Sequence, residues 1–163
     1  MKSAPLNYRE PLMRKTVAIL LAGLVTGVID IVAAFASYST QGATPEGVLK
    51  YIASGVVGAS AMQGGAGTAA LGLLFHLLLT TGMAAVFVAA ALKLPALAER
   101  PWLWGTVYGV LTWAAMVYVV VPLSGVPGWK LPQGWAIVSG LLSHVFYVGV
   151  PIAHITRHAL RRG

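Results

Sequence analysis

Asp30, His76 and His144 each sit inside a long apolar run of this chain. A carboxylate in hydrocarbon costs several kcal/mol unless it is neutralised, paired or solvated, so Asp30 needs a partner. Counted along helices, Asp30 lies about 9 Å from the nearer end of its run, His76 about 12 Å and His144 about 16 Å. The depths match well enough for Asp30 to pair with His76 or His144, an acid and a base each favouring the charged state of the other. The expected role is a buried hydrogen bond that fixes helix register. The functional alternative is a proton relay. Two histidines and one carboxylate can hold zinc or iron, but a spacing such as HExxH is missing, and neither a metal site nor a cofactor is expected. Haem held by the two histidines has less support.

A second set lies on the last apolar run. His144, Tyr147, Pro151, His154 and His158 follow one another at spacings of 3, 4, 3 and 4, which places them on one face of an α-helix. In a wet crevice such a stripe conducts protons; the plainer expectation is that His154 and His158 reach the headgroup region beside Arg157. Gly23 with Gly27, and Gly105 with Gly109, form GxxxG spacings that let helix backbones approach closely. Packing within one chain is expected, with a homodimer as the other use. Gly64, Gly65 and Gly67 lack the Lys and Ser or Thr of a phosphate-binding loop and read as a turn.

The elements that hold these residues follow from composition. Of 163 residues 58% are hydrophobic and only 9% charged, and mean hydropathy is +0.80, so the chain belongs in a bilayer. The apolar runs are about 16–36, 67–92, 102–121 and 134–155, each long enough to cross the bilayer as a helix. Between the first two, 44–62 opens with Thr44 as N-cap and Pro45 at the first helical position. Its apolar residues are broken by Lys50, Gly55 and Gly58, which suits a short interfacial or re-entrant helix. The expected fold is therefore an all-α membrane protein, a single domain of four transmembrane helices with one short helix between the first two.

The net charge of +7 reflects topology and implies no nucleic-acid partner. Lys2, Arg9, Arg14, Lys15, Lys93, Arg100, Arg157, Arg161 and Arg162 fall on one side, Lys50 and Lys130 on the other. That bias places both termini and the 93–100 loop in the cytoplasm. Ala34-Phe35-Ala36 looks like a signal-peptidase site, but the run before it is too long for a signal core and contains Asp30, so a retained helix is expected. Trp102 and Trp104 at one end, and Tyr118, Trp129 and Trp135 at the other, read as interfacial aromatic belts. Trp113 lies deeper and reads as packing. Cysteine is missing from the chain, which excludes disulfides and thiolate chemistry.

The two halves echo each other. Gly23, Gly27 and Asp30 correspond to Gly105, Gly109 and Thr112, and Gly72-Leu73-Leu74-Phe75-His76 corresponds to Gly140-Leu141-Leu142-Ser143-His144. Two helices per half give two related helix pairs of the same orientation, related by an axis along the membrane normal. From Pro101 onward, the order PWLWGTVYG, VVVPLSG, a loop bearing Pro and Trp, and GLLSH resembles the YagU-like family of small bacterial inner-membrane proteins. The first half resembles that family in layout only. The resemblance implies a multi-helix protein of the bacterial inner membrane and carries no catalytic motif. The expected function is a non-enzymatic accessory or envelope-maintenance component, with lipid and a second copy or membrane complex as partners. The alternative is a proton-coupled transporter or channel subunit using Asp30, His76 and His144.

Overall fold

The computed structural model describes residues 9–161, with side chains from Lys15 to Leu160. Of the basic residues that set orientation, Lys2 and Arg162 lie outside the described residues, as do the side chains of Arg9, Arg14 and Arg161. Among the described residues every regular element is helical: α1 (Arg9–Ser39), α2 (Pro45–Val57), a 3-10 turn (Ala59–Gln63), α3 (Ala66–Lys93), the short α4 (Ala96–Glu99), α5 (Pro101–Ala115), α6 (Trp135–Ser143) and α7 (Val150–Arg161). A π-helical stretch, Met116–Val120, prolongs α5, and a second, His144–Gly149, fuses α6 to α7. Four stretches are long and apolar enough to cross a membrane: Lys15–Ser39, Ala66–Lys93, Pro101–Val120 and Trp135–Leu160. Between 22% and 33% of the most apolar part of each is buried inside the protein, so the remaining apolar surface needs hydrocarbon around it. The chain is an all-α membrane protein.

α1 begins at Arg9, ahead of the expected start at 16, and two further helix ends differ from the sequence expectation for polar reasons. α1 passes Ala36 and stops at Ser39. There the Ser39 hydroxyl donates to Ala36 O (2.8 Å) and the Thr40 hydroxyl to Ser37 O (2.7 Å), satisfying carbonyls that a helix end leaves open. The last rod runs past Ile155 to Arg161, because its final turns are amphipathic and need not remain in hydrocarbon. The segment 44–62 forms α2 and the 3-10 turn. Thr44 Oγ1 accepts the Gly47 N–H (3.1 Å), Pro45 takes the first helical position, and Glu46 pairs with Lys50 at 2.7 Å.

Small residues decide which helices meet. On α1 the buried positions are the small Ala18, Ala22, Gly23, Thr26 and Gly27, with Ile31 beyond them, while Leu20, Leu24, Val28 and Val32 face outward. In lipid the drive for helix association is close packing rather than apolar burial, and this stripe supplies it. A Cβ on Gly23 would stand 2.6 Å from Thr81 Oγ1, and one on Gly27 would stand 2.6 Å from Thr80 Oγ1. On α5, a Cβ on Gly105 would lie 2.7 Å from Val150 Cα, and one on Gly109 would lie 2.5 Å from Val145 Cα. Gly149 answers from the other side, its Cβ position colliding with Gly105 O and Gly109 N. All four GxxxG glycines thus face helices of their own chain.

The packed pairs α3 on α1, α1 on the α6–α7 rod, and that rod on α5 describe an arc. Its core holds Ala22, Ala84, Phe87, Val148, Ile152 and Ala153. α3 and α5 form the free ends of the arc, joined through α4 at the end bearing Lys93 and Arg100. At the opposite end, α2 lies on α3 so closely that a Cβ on Gly72 would collide with Leu49 O.

Candidate functional site

Asp30 lies nine residues before the end of α1, His76 ten residues after the start of α3, and His144 nine residues after the start of α6. At 1.5 Å per residue, all three stand about 14–15 Å from the α2 end of the bundle, the mid-depth of a hydrocarbon core of about 30 Å. The extra turn of α1 brings the three depths closer together than the sequence-based counting does.

His76 Nε2 is 3.8 Å from Asp30 Oδ2, with side-chain exposures of 12% and 21%. The same nitrogen lies 3.0 Å from Gly27 O. A carbonyl oxygen only accepts, so Nε2–H donates to Gly27 O, and Nδ1 of the neutral ring is left as an acceptor. The acceptor Gly27 O is one residue beyond Thr26 and three short of Asp30, and it is reachable because Gly27 carries no side chain to hold α3 away. His144 donates its Nδ1–H to Gly140 O (2.9 Å) in its own helix. The three residues share a depth, and only Asp30 and His76 are paired. They do not form a coordination sphere: among the described residues no three His, Asp or Glu side chains are grouped to hold one metal ion. Asp30–His76 is an ion pair when the imidazole is protonated and a weak polar contact when it is not.

The stripe on the last rod is interrupted. The π stretch at His144–Gly149 winds more residues per turn than an α-helix, so spacings of 3 and 4 do not keep one face from His144 to Pro151. His154 donates Nδ1–H to Val150 O (3.0 Å) and meets Trp102 edge-on, with ring centroids 4.8 Å apart. Tyr147 and His158 are exposed. Each polar group has its own surroundings, and among the described residues no hydrogen bond joins His144 to His154.

Several contributors escaped the sequence reading. Tyr108 on α5 donates its hydroxyl to Met83 O on α3 (2.6 Å) and stacks tilted against Phe87 at 5.0 Å. A phenol within an apolar span must find an acceptor, which was the available signal. Thr26, fully buried one turn before Asp30, has no hydrogen-bond partner for Oγ1 among the described residues. Hydroxyls in membrane helices commonly bond back to their own helix, as Thr80, Thr81 and Thr112 do here, so its unpaired state was not legible. Trp113, by contrast, is read from the sequence as packing, and it does pack, edge-on with Tyr118 at 6.1 Å and with its indole over Gly140, 2.9 Å from where a Cβ would stand.

Comparison with known proteins gives no family model, no curated protein and no solved structure that matches this chain.

Proposed function

We propose that the protein is a non-enzymatic, multi-pass component of the bacterial inner membrane with an accessory or envelope-maintenance role, in which the midplane polar cluster registers the helices. The observation that carries this reading is the His76 Nε2–H bond to Gly27 O (3.0 Å). The imidazole spends its donor on a backbone carbonyl at the α1–α3 seam, which is what a registering group does. The excess of Lys and Arg on the side of the termini and of Lys93–Arg100 supports cytoplasmic termini, and the resemblance of the second half to the YagU-like family supports the inner membrane.

The contacts of the two halves are also parallel. Gly27 on the first helix of one half faces the helix bearing His76, and Gly109 on the first helix of the other faces the π stretch that begins at His144. This supports an internal repeat of two helix pairs.

A second reading, a proton-coupled carrier or channel subunit, is favoured by one observation: the unpaired, buried Thr26 hydroxyl beside a partly exposed Asp30. Ionisable groups at mid-membrane mark proton routes in many pumps. Liposomes holding wild-type, Asp30→Asn or Thr26→Val protein under an imposed pH gradient separate the two. The registering role predicts no flux above empty liposomes from any of them, with Asp30→Asn folding normally. Flux that Asp30→Asn abolishes overturns it.

A further inference from the structure

At the Lys93–Arg100 end of the bundle, α4 and the start of α5 both pack on α7. Gly105 meets Val150 and Ala153, and Gly109 meets Val145, so α5 and the rod run antiparallel. Counted outward from Gly105 at 1.5 Å per residue, Arg100 comes level with Arg157. Arg157 follows Val150 by seven residues and Ala153 by four, which keeps it on the face of α7 that meets α5. On the membrane side of the two arginines, the rings of Trp102 and His154 touch edge-on, with centroids 4.8 Å apart, and Trp102 is largely exposed. Pro101–Val120 spans 20 residues, or about 30 Å, the thickness of a hydrocarbon core, so Arg100 stands just outside it, at the level of lipid phosphates. Arg100 is exposed and Arg157 half-buried. Neither guanidinium is engaged within the protein: among the described residues the ion pairs are Glu46–Lys50 and Asp30–His76, and neither arginine side chain has a hydrogen-bond partner.

We propose that Arg100 and Arg157 bind the phosphate of an anionic phospholipid in the leaflet at the Lys93–Arg100 end, with Trp102 lying against the glycerol of the same lipid. Charge chooses the occupant. Guanidinium forks match phosphate oxygens two bonds at a time, and the anion that a bilayer supplies at this depth is a lipid phosphate. Half-burial strips Arg157 of part of its hydration, and a charge held that way is favoured by a counter-charge beside it. The surroundings add to the selection. Lys15 and Lys93 stand exposed at this end, and among the described side chains only Glu99, itself exposed and unpaired, opposes them. A headgroup that carries an ammonium beside its phosphate is repelled by these cations, and a glycerol headgroup is not. At the α2 end, Lys50 is already matched by Glu46 at 2.7 Å. The positive-inside bias accounts for the number of basic residues at this end. It does not ask two of them to come level on one helix crossing without an acid, and basic sites between membrane helices are where anionic headgroups dock. An indole at the same level suits the interfacial part of the lipid, where tryptophan rings anchor.

The test uses full-length protein extracted with a mild non-ionic detergent from vesicles of equal parts phosphatidylethanolamine and phosphatidylglycerol. Retained lipid is counted by native mass spectrometry. Wild-type protein should keep one phosphatidylglycerol per chain, several-fold in preference to phosphatidylethanolamine. Arg157→Gln and Arg100→Gln should each lower that retention roughly tenfold, the loss of one hydrogen-bonded charge contact. Lys93→Gln removes the same unit charge from the end of α3 and should retain the lipid as wild type does. The Lys and Arg that remain at this end keep the direction of insertion. Should either arginine variant not fold, wild-type protein decides alone: phosphatidylglycerol with a photoreactive headgroup should label 99–104 and 153–158 and spare 44–62. Equal retention of the two lipids, a loss from Lys93→Gln as large as from Arg157→Gln, displacement of the lipid by inorganic phosphate, or headgroup labelling spread evenly over both ends would each overturn the proposal. The inference rests on membrane placement alone, so its failure leaves the Asp30 cluster reading untouched.

Discussion

Replacing Gly109 by alanine should destabilise the protein by about 1–2 kcal/mol, although alanine is the better helix former. The added Cβ would stand 2.5 Å from Val145 Cα and 2.6 Å from His144 O, both backbone atoms that cannot turn aside. Ordinary contact begins near 3.4 Å, so α5 must retreat by roughly 1 Å from the π stretch. A gap of 0.5–1 Å forfeits a quarter to a half of each dispersion contact along that seam, and overpacking of this kind costs about 1–3 kcal/mol. Helix propensity returns up to about 1 kcal/mol. Gly82→Ala is the internal control, since it makes the same change of propensity into open space and should stabilise by about 0.5–1 kcal/mol. Gly27→Ala should fall between them, because the atoms it meets are the ends of the Thr80 and Leu77 side chains. Reversible unfolding in mixed micelles, with helicity as the signal, measures the series. A Gly109→Ala protein as stable as Gly82→Ala would refute the reasoning, showing that the backbones do not touch at this crossing.

Two further outcomes follow from individual hydrogen bonds. Tyr108→Phe, which removes the donor to Met83 O and keeps the ring contact with Phe87, should cost about 0.6 kcal/mol, the average for hydrogen bonds between membrane helices, and at most about 1.7 kcal/mol, in the same unfolding assay. Thr44→Ala removes the N-cap of α2 and should weaken that helix by about 1 kcal/mol, visible as faster amide exchange at Gly47 and Val48 with α3 unchanged.

The four long helices were legible because hydrophobic length is a one-dimensional property, and the bilayer sets the threshold. Thr44 and Pro45 announced α2 because capping chemistry is local. Depth offered Asp30 two partners, His76 or His144, since a buried carboxylate demands company, and only the fold chooses His76. The actual acceptor for His76, Gly27 O, was hidden because backbone carbonyls are present at every position, and only the absence of a side chain at Gly27 exposes this one. The π stretch at His144–Gly149 had no sequence signal either. It arises where Gly149 settles against Gly105 and Gly109, a tertiary demand that local periodicity does not encode, and it disrupts the stripe that α-helical spacing drew through Tyr147 and His154. The gap that the arc leaves between α3 and α5 was invisible for the same reason: apolar residues facing a gap and apolar residues facing lipid are written with the same letters.

The arc of helices also has mechanical properties. Its two arms, α3 and α5, are laced near one end by Tyr108 and Met83 and at the other by Gly125 and Gly55, while its back is the seam of α1 with the α6–α7 rod, where Ala22, Val148, Ile152 and Ala153 share the core. In-plane tension in the bilayer pulls such a clip open across its slot. Such a load is carried across the slot by those two hydrogen bonds and by the contact of the Tyr108 ring with Phe87, and the close-packed back serves as the spring.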